Sequence, residues 1–427
     1  MEFALDQPFY HITIAIPTFN SGWVSLAFLP AIIDRLSLPR TLFWLFHPAI
    51  SMQAIDYLKE LIPFPTVSSE SNSDITDCLT EWLVHLGFET ERIDYSDENG
   101  IRKSCVQSRK GPTSGCGLAY FCHTDVVPVN SWSFPKSGPW TPLVADGRIY
   151  GRGSCDMKGS LCCMLAAAEA MQSASLKTPL YFIATADEEV GMPGARKVVE
   201  RSAIYREIVS SQTRAIIGEP TRLEIVHAHK GGRAIRATSI GRAAHSSTGL
   251  GLNANVALIP FLHEIGNIHR EMEVSPEWRD DRFSPPTPSL NIVIKDSNTA
   301  LNITSAKSEC MVYFRPMPGQ DPDGIVQRIR TLAESCGLQF ELLFSGTPLY
   351  TDPNTPFIRE LLELTSLSAS RTVAYGTDGA IFTELRNIAV FGPGDIAQAH
   401  TDDEWISLAQ LEKGTALYQQ AIRRWCC

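Results

Sequence analysis

The chain has 427 residues, 44% of them hydrophobic and 20% charged, and 47 acidic residues against 37 Lys and Arg give a net charge of −10. This length exceeds what one compact core usually serves, so we expect two domains. The negative charge, without a basic block, argues against nucleic acid or an anionic membrane as a partner. The eleven cysteines are irregularly spaced without a CxxC motif, which favours a reducing, cytoplasmic location over a disulfide framework.

Residues 1–51 are apolar, but Pro, Asn and Asp interrupt them. No apolar run reaches the ~18 residues of a membrane helix. The segment also opens with acidic residues rather than the basic region of a signal peptide. We therefore treat 1–51 as an N-terminal extension and expect the natural start at Met52, where a regular amphipathic helix begins.

From residue 52 to 233, helical and strand-like patterns alternate. Helices are predicted at 54–61, 73–87 and 158–173, and apolar strands at 117–122, 180–186 and 215–218. Fully apolar strands separated by helices indicate a mostly parallel sheet with helices on both faces. We therefore predict an α/β fold in which catalytic groups lie at the carboxyl ends of the strands.

A second unit is predicted at 234–347. Its order is strand, helix, strand, strand, helix, strand, which is the ferredoxin-like α+β pattern, and its first helix spans Pro260. Helix and strand patterns resume after it. The unit is therefore predicted to be inserted in a catalytic domain made of 52–233 and 348–427.

Five short motifs carry histidine and acidic side chains in a fixed order. They are His123-Thr124-Asp125, Asp156 in GRGSCDMKG, Asp187-Glu188-Glu189, Glu219 in IIGEPT, and His400 in GPGDIAQAH. Three of them directly follow a predicted buried strand, so their side chains should emerge together at one sheet edge. Two imidazoles and several carboxylates are the donors that a pair of divalent metal ions requires. The motifs therefore predict a metal site.

The local context of these residues predicts a division of roles. Asp125 should point to the same side as His123 and fix the tautomer of its ring. Asp156 can bridge two metals with one oxygen to each. Glu188 and Glu189 should diverge on an extended segment, so that one binds metal and the other stays free to transfer protons. One His and one Glu for each metal, with a shared Asp, leave a position open for water.

Each motif alone has a plainer reading. A lone HxD is often a hydrogen-bonded surface pair, and DEE is often a solvated run of charges. GRGSCDMKG lacks the GxxxxGK[ST] pattern of a phosphate loop. The absence of GxSxG and HExxH argues against a serine hydrolase or a single-zinc protease. The joint pattern is more specific, because the successive intervals from His123 to Glu219 are 33, 32 and 31 residues, each near one βα unit.

At these residues the chain resembles the M20 metallopeptidase family over about 52–427. The resemblance implies two divalent metal ions, zinc with cobalt as a substitute, and a cis peptide after Asp156. It implies one metal on His123, Asp156 and Glu219, a second on Asp156, Glu189 and His400, Glu188 as general base, and Asp125 as the residue that orients the site.

The inserted unit resembles the family's dimerisation lid. His245 in GRAAHSS resembles a histidine that reaches the active site of the partner in a homodimer and steadies the oxyanion, although it could also be a surface histidine. The resemblance implies that Asn302 and Arg315 grip the substrate carboxylate, a task that suits a guanidinium; an ion-pair role for Arg315 stays open. Thr377 lies in a loose match to a substrate loop.

Within the family, GEPT, AHKGG, AHSS and GPGDIAQAHTDDEW are most similar to acetylornithine deacetylases. This similarity implies hydrolysis of N-acetylornithine to ornithine and acetate, a step of arginine biosynthesis. Thr248-Gly249 stands where a proline is common, which leaves the exact substrate open. The alternatives are a succinyl-diaminopimelate desuccinylase, a metallo-carboxypeptidase or dipeptidase, and a non-catalytic metal-dependent binding module. Glu188 argues against the last.

Overall fold

A computed structural model describes residues 52–298 and 300–427. The predicted extension at 1–51 lies outside these residues, and the expected start at Met52 stays a prediction. Among the described residues, no helix is both long enough and apolar enough to cross a membrane.

The described chain contains helices and strands throughout its length. The helices are α1 (Ala54–Leu61), α2 (Ser73–His85), α3 (Lys158–Ala170), α4 (Pro193–Arg201), α5 (Ala203–Ser210), α6 (Ala254–Val274), α7 (Pro322–Ser335), α8 (Pro356–Thr365) and α9 (Leu408–Cys426). The strands are β1 (Glu89–Ser96), β2 (Arg102–Lys110), β3 (Leu118–His123), β4 (Leu143–Ala145), β5 (Arg148–Tyr150), β6 (Leu180–Thr185), β7 (Arg214–Ile217), β8 (Val226–His229), β9 (Gly232–Ile240), β10 (Ser289–Asp296), β11 (Lys307–Arg315), β12 (Gln339–Gly346), β13 (Leu349–Tyr350), β14 (Arg371–Val373), β15 (Ile388–Val390) and β16 (Trp405–Ser407).

The largest sheet has the strand order β1-β2-β6-β3-β7-β15-β8-β13, with β14 beside β8. Its four central strands, β6, β3, β7 and β15, are parallel, whereas β1, β2 and β13 pair antiparallel at the margins. Every residue of β3 and β6 is buried, as expected of strands covered by helices on both faces. This architecture confirms the predicted α/β class.

A separate four-stranded antiparallel sheet has the order β10-β11-β9-β12. Along the chain its elements run β9, α6, β10, β11, α7, β12, which is the predicted ferredoxin-like order. Helices α6 and α7 cover this sheet with a core that includes Phe261, Ile265, Phe314 and Ile329. Pro260 lies inside α6 without ending it, as predicted.

Local predictions failed mainly at the ends of elements. Helix α2 ends at His85 instead of residue 87, because Gly87 adopts φ +84°, the left-handed conformation that closes a helix. Helix α3 ends at Ala170 rather than residue 173. The segment Glu188–Val190 forms a 3₁₀ turn and not the predicted extended segment, since Asp187 before it turns the chain with φ +60°.

Three parallel strands deliver the predicted acid and histidine motifs to one edge of the large sheet. His123 is the last residue of β3, the Glu188–Val190 turn follows β6, and Glu219 follows β7. Because the carboxyl ends of parallel strands lie at the same edge of a sheet, these side chains lie close together there.

Candidate active site

Asp156 lies between two imidazole rings and presents a different oxygen to each. Its Oδ1 is 3.2 Å from Nε2 of His123, and its Oδ2 is 3.2 Å from Nε2 of His400. The Asp156–Met157 peptide is cis, as the family resemblance implied. A carboxylate with one oxygen toward each of two potential ligands has the arrangement expected of a bridging group.

Each imidazole also faces a glutamate. Glu189 Oε1 is 3.1 Å from Nε2 of His400, and Glu219 Oε1 is 3.8 Å from Nε2 of His123. Ligand atoms of His123, Asp156 and Glu189 all lie within 4.8 Å of one another, which is close enough for one metal ion. The structure therefore brings the five predicted ligand residues into one cluster.

Asp125 organises this cluster through its backbone as well as its side chain. Its carbonyl oxygen accepts a hydrogen bond from Nδ1 of His123 at 2.9 Å, whereas its carboxylate lies farther from that nitrogen, at 3.6 Å. The carboxylate accepts hydrogen bonds from Ser68 Oγ at 2.7 Å and from the amides of Glu188 and Glu189 at 3.1 and 3.2 Å. Asp125 thus orients the imidazole and also holds the turn that carries both glutamates.

The electrostatics of the cluster favour a bound cation. Burial raises the pKa of Glu188 and of Glu219 well above the usual value of a glutamate. Burial opposes the ionisation of Asp156 as well, but hydrogen bonds from His123 and His400 lower the pKa of that carboxyl group. Hydrogen bonds to Asp156 and Glu189 raise the pKa of His400 to about 10. The cluster therefore holds more buried acid than its own histidines can neutralise.

A divalent metal ion fits this donor set. Within residues 52–298 and 300–427, the ion pairs of Asp156, Glu189 and Glu219 are all with histidine and none is with Lys or Arg. Carboxylate oxygens and imidazole nitrogens are the usual ligands of zinc and of similar ions. The cluster is therefore a candidate metal site.

A cavity of about 830 Å³ opens on this cluster. Its lining includes Asp156, Glu188, Glu189, Glu219 and His400. The lining also includes residues of the small sheet, among them Tyr313, Arg315, Leu342 and Phe344. The predicted carboxylate-binding Arg315 thus shares a cavity with the candidate metal site.

The other predicted residues lie elsewhere. His245 and Asn302 are both exposed, and neither lines the cavity. They lie near each other, because the amide of Ser246, next to His245, donates to the carbonyl of Asn302 at 2.8 Å. Thr377 is fully buried, where its hydroxyl lies 2.9 Å from Nε2 of His229. The Thr377 hydroxyl thus already has a partner inside the protein, and a substrate contact by this residue stays a prediction.

The sequence reasoning missed two groups of supporting residues. Asp187 is buried, with Oδ1 3.0 Å from Lys103 Nζ and Oδ2 accepting from the Tyr95 hydroxyl at 2.7 Å. Glu404, also buried, binds the turn that carries Asp156. The two acids stood inside the motifs DEE and TDDEW, but neither Lys103 nor Tyr95 carried a signal in the sequence.

Comparison with known proteins identifies relatives across most of the chain. The model of the Peptidase family M20/M25/M40 matches residues 119–424. An acetylornithine deacetylase of Myxococcus xanthus is 32% identical over 385 residues, which cover 86% of this chain and 96% of that protein.

Solved structures share the fold at lower identity. The dipeptidase Dug1p of Saccharomyces cerevisiae has a TM-score of 0.69 at 16% identity, covering 87% of this chain and 96% of its own. The M20 metallo-carboxypeptidase Sso-CP2 of Sulfolobus solfataricus has a TM-score of 0.68 at 18% identity, covering 87% of this chain and 99% of its own. At these identities the likeness concerns the fold alone.

Proposed function

Because this chain belongs to peptidase family M20, whose members hydrolyse amide bonds, we propose that it is a dinuclear metal-dependent amidohydrolase acting on N-acyl amino acids. The observation that carries the proposal is the position of Asp156, with one oxygen 3.2 Å from His123 and the other 3.2 Å from His400. A shared carboxylate between two imidazoles suits a pair of metals better than a single one.

The proposed ligands divide into two sets that share Asp156. One set is His123, Asp156 and Glu219, and the other is Asp156, Glu189 and His400. We propose zinc in both, with cobalt as a substitute, because the donors are imidazole and carboxylate. When bound, the metals supply Lewis-acid polarisation of the scissile carbonyl and of a water molecule.

Glu188 is the proposed general base. It lines the cavity beside the ligands, and among the described residues it forms no ion pair with either imidazole. The carboxylate of Asp125 holds its backbone amide at 3.1 Å and thereby fixes the position from which its side chain enters the cavity. In the proposed reaction a Glu188 oxygen accepts a proton from the attacking water and later returns it to the leaving amine.

N-acetylornithine is the proposed substrate, hydrolysed to ornithine and acetate in arginine biosynthesis. The support for this choice is the similarity over 86% of the chain to a protein named acetylornithine deacetylase. Arg315 faces the same cavity as the cluster, where a guanidinium can bind the substrate's α-carboxylate with two hydrogen bonds. We also propose Asn302 and Thr377 as substrate contacts, although neither residue lines the cavity of its own chain. The eleven free cysteines support a cytoplasmic location.

We propose that residues 234–347 form a dimerisation lid on a catalytic domain of 52–233 and 348–427. His245 is exposed and lies outside the cavity of its own chain, so it would act in the site of a partner subunit. Among the residues that the structure describes, no strand pairs with the outer edge of β10, and Ile294 on this strand is exposed. On helix α6, Val256 and Ile259 are 60% and 65% exposed. Exposed apolar side chains of this kind are typical of subunit interfaces.

A substrate panel tests the proposal. The metal-free protein is assayed with zinc or cobalt on acetylornithine, succinyl-diaminopimelate, acetylmethionine and a Gly-Glu dipeptide. We expect acetylornithine to be hydrolysed fastest, and a chelator to abolish the activity until metal is added back. Preference for the succinyl or dipeptide substrate would assign a desuccinylase or a peptidase instead. Metal binding without hydrolysis of any substrate would favour a binding module.

A further inference from the structure

Glu404 lies four residues after His400, and its buried carboxylate is saturated with hydrogen bonds. Oε2 accepts from Arg152 Nη1 and from the amide of Gly153, both at 2.8 Å. Oε1 accepts from the amides of Cys155 and Asp156 at 2.8 and 3.0 Å. Two donors on each oxygen leave no lone pair for a metal or a proton, so Glu404 is neither a ligand nor a base.

The partners of Glu404 form one tight turn that ends in Asp156. Arg152 is 2% exposed, so it forms a buried ion pair with Glu404. Gly153 adopts φ +78°, and a Cβ on it would lie 2.7 Å from Val126, so the turn is packed without spare room. The amide of Gly151 donates to the carbonyl of Glu404 at 3.0 Å, which ties the two segments together through the backbone as well.

We infer that Glu404 is a positioning residue that holds the Asp156 turn against the His400 segment and so sets the second metal site. This inference rests on the proposed dinuclear function. Asp156 and His400 come from distant parts of the chain, yet their side chains, which approach to 3.2 Å, must stay close together to bind one metal. Glu404 follows His400 closely and binds the amide of Asp156 directly, so it connects one ligand to the other.

The test is a metal titration of the full-length protein carrying Glu404→Gln. Glutamine keeps the size of the side chain but turns an NH₂ group toward N–H donors, which loosens the turn. The metal-free protein is titrated with zinc by calorimetry, and bound zinc is counted after equilibration at fixed free zinc. We expect two zinc ions per wild-type chain and at least about tenfold weaker binding at one site of E404Q. Raising free zinc should restore the second ion.

Glu360→Gln is the matched control. Glu360 also pairs with an arginine, Arg214 at 2.9 Å, and accepts from Trp425 Nε1 at 2.7 Å. Arg214 begins β7, whereas Glu219 follows the other end of that strand. We expect E360Q to lower the melting temperature and to keep both zinc sites, which separates lost stability from lost positioning.

Arg152→Lys provides a second variant should E404Q fail to fold. Lysine keeps the buried cation but not the geometry of the guanidinium, so a loss of zinc at one site is again expected. An E404Q or R152K protein that binds two zinc ions as tightly as the wild type would overturn the role of Glu404. A wild-type protein that binds fewer than two would contradict the proposed dinuclear function itself.

Discussion

We expect the substitution Glu188→Gln to separate proton transfer from metal binding. Glutamine has nearly the shape of glutamate but cannot accept a proton at neutral pH. Glu188 belongs to none of the ion pairs between the histidines and the other acids, so the substitution leaves those contacts untouched. Its amide stays bound to Asp125 in the variant, because that hydrogen bond involves only the backbone.

The expected loss of kcat follows from the proposed role of the Glu188 side chain as a general base. A positioned general base contributes about 10²- to 10⁴-fold to a rate, which is about 3–5 kcal/mol of transition-state stabilisation. We expect kcat to fall within or beyond that range, because Glu188 is proposed to serve both the attack and the departure of the amine. KM and zinc content should change little.

Glu189→Gln is the adjacent control in the same 3₁₀ turn. Glu189 lies 3.1 Å from His400, so its substitution should remove zinc as well as activity. The assay combines kcat on acetylornithine with zinc counted per chain for both variants. An E188Q protein that keeps near wild-type kcat, or that loses zinc as E189Q does, would refute the assignment of Glu188.

Three further outcomes are expected. Mixing inactive His245→Ala and Glu188→Gln chains should restore activity to about a quarter of the wild-type level, because half of random dimers are mixed and each mixed dimer has one intact site. No recovery of activity, or an active monomer in sedimentation, would contradict a site shared between subunits. Arg315→Lys should raise KM about tenfold for acetylornithine but not for its α-amide, since only the carboxylate can receive two hydrogen bonds from a guanidinium. An equal rise of KM for both substrates would exclude this contact. Burial lowers the pKa of His229 to about 4. In the unfolded chain His229 therefore binds a proton below pH ~6.5, whereas in the folded protein it stays neutral until about pH 4. Between pH 7 and 5 the wild-type protein should therefore lose about 2 kcal/mol more unfolding free energy than the His229→Gln variant, as measured by urea titration. An equal loss in the two proteins would contradict this.

Much of the fold could be predicted from local sequence patterns. The apolar runs of β3, β6 and β7 were located to within a residue, since a strand buried on both faces must be apolar at every position. The β-α-β-β-α-β order of the small sheet was also readable, because the periodicities of helix and strand differ. Helix ends were less accurate, as at Gly87, where one backbone conformation stops the helix.

The sequence also provided the candidate chemistry of the site, because only a few residue types bind metals and three of the five motifs that carry them directly followed predicted strands. The tertiary structure decided how those residues meet. It determined that Asp156 offers separate oxygens to His123 and His400, and that the carbonyl of Asp125 lies nearer the imidazole than its carboxylate does.

The supporting contacts could not be read from the sequence at all. Lys103 and Tyr95 reach Asp187 from strands far away in the chain, and Glu404 binds a turn about 250 residues before it. Local patterns record which face of an element is apolar, but such polar contacts exist only once distant elements have packed. The sequence therefore determined which groups could bind metal, and packing alone decided their distances and the buried hydrogen bonds that hold them.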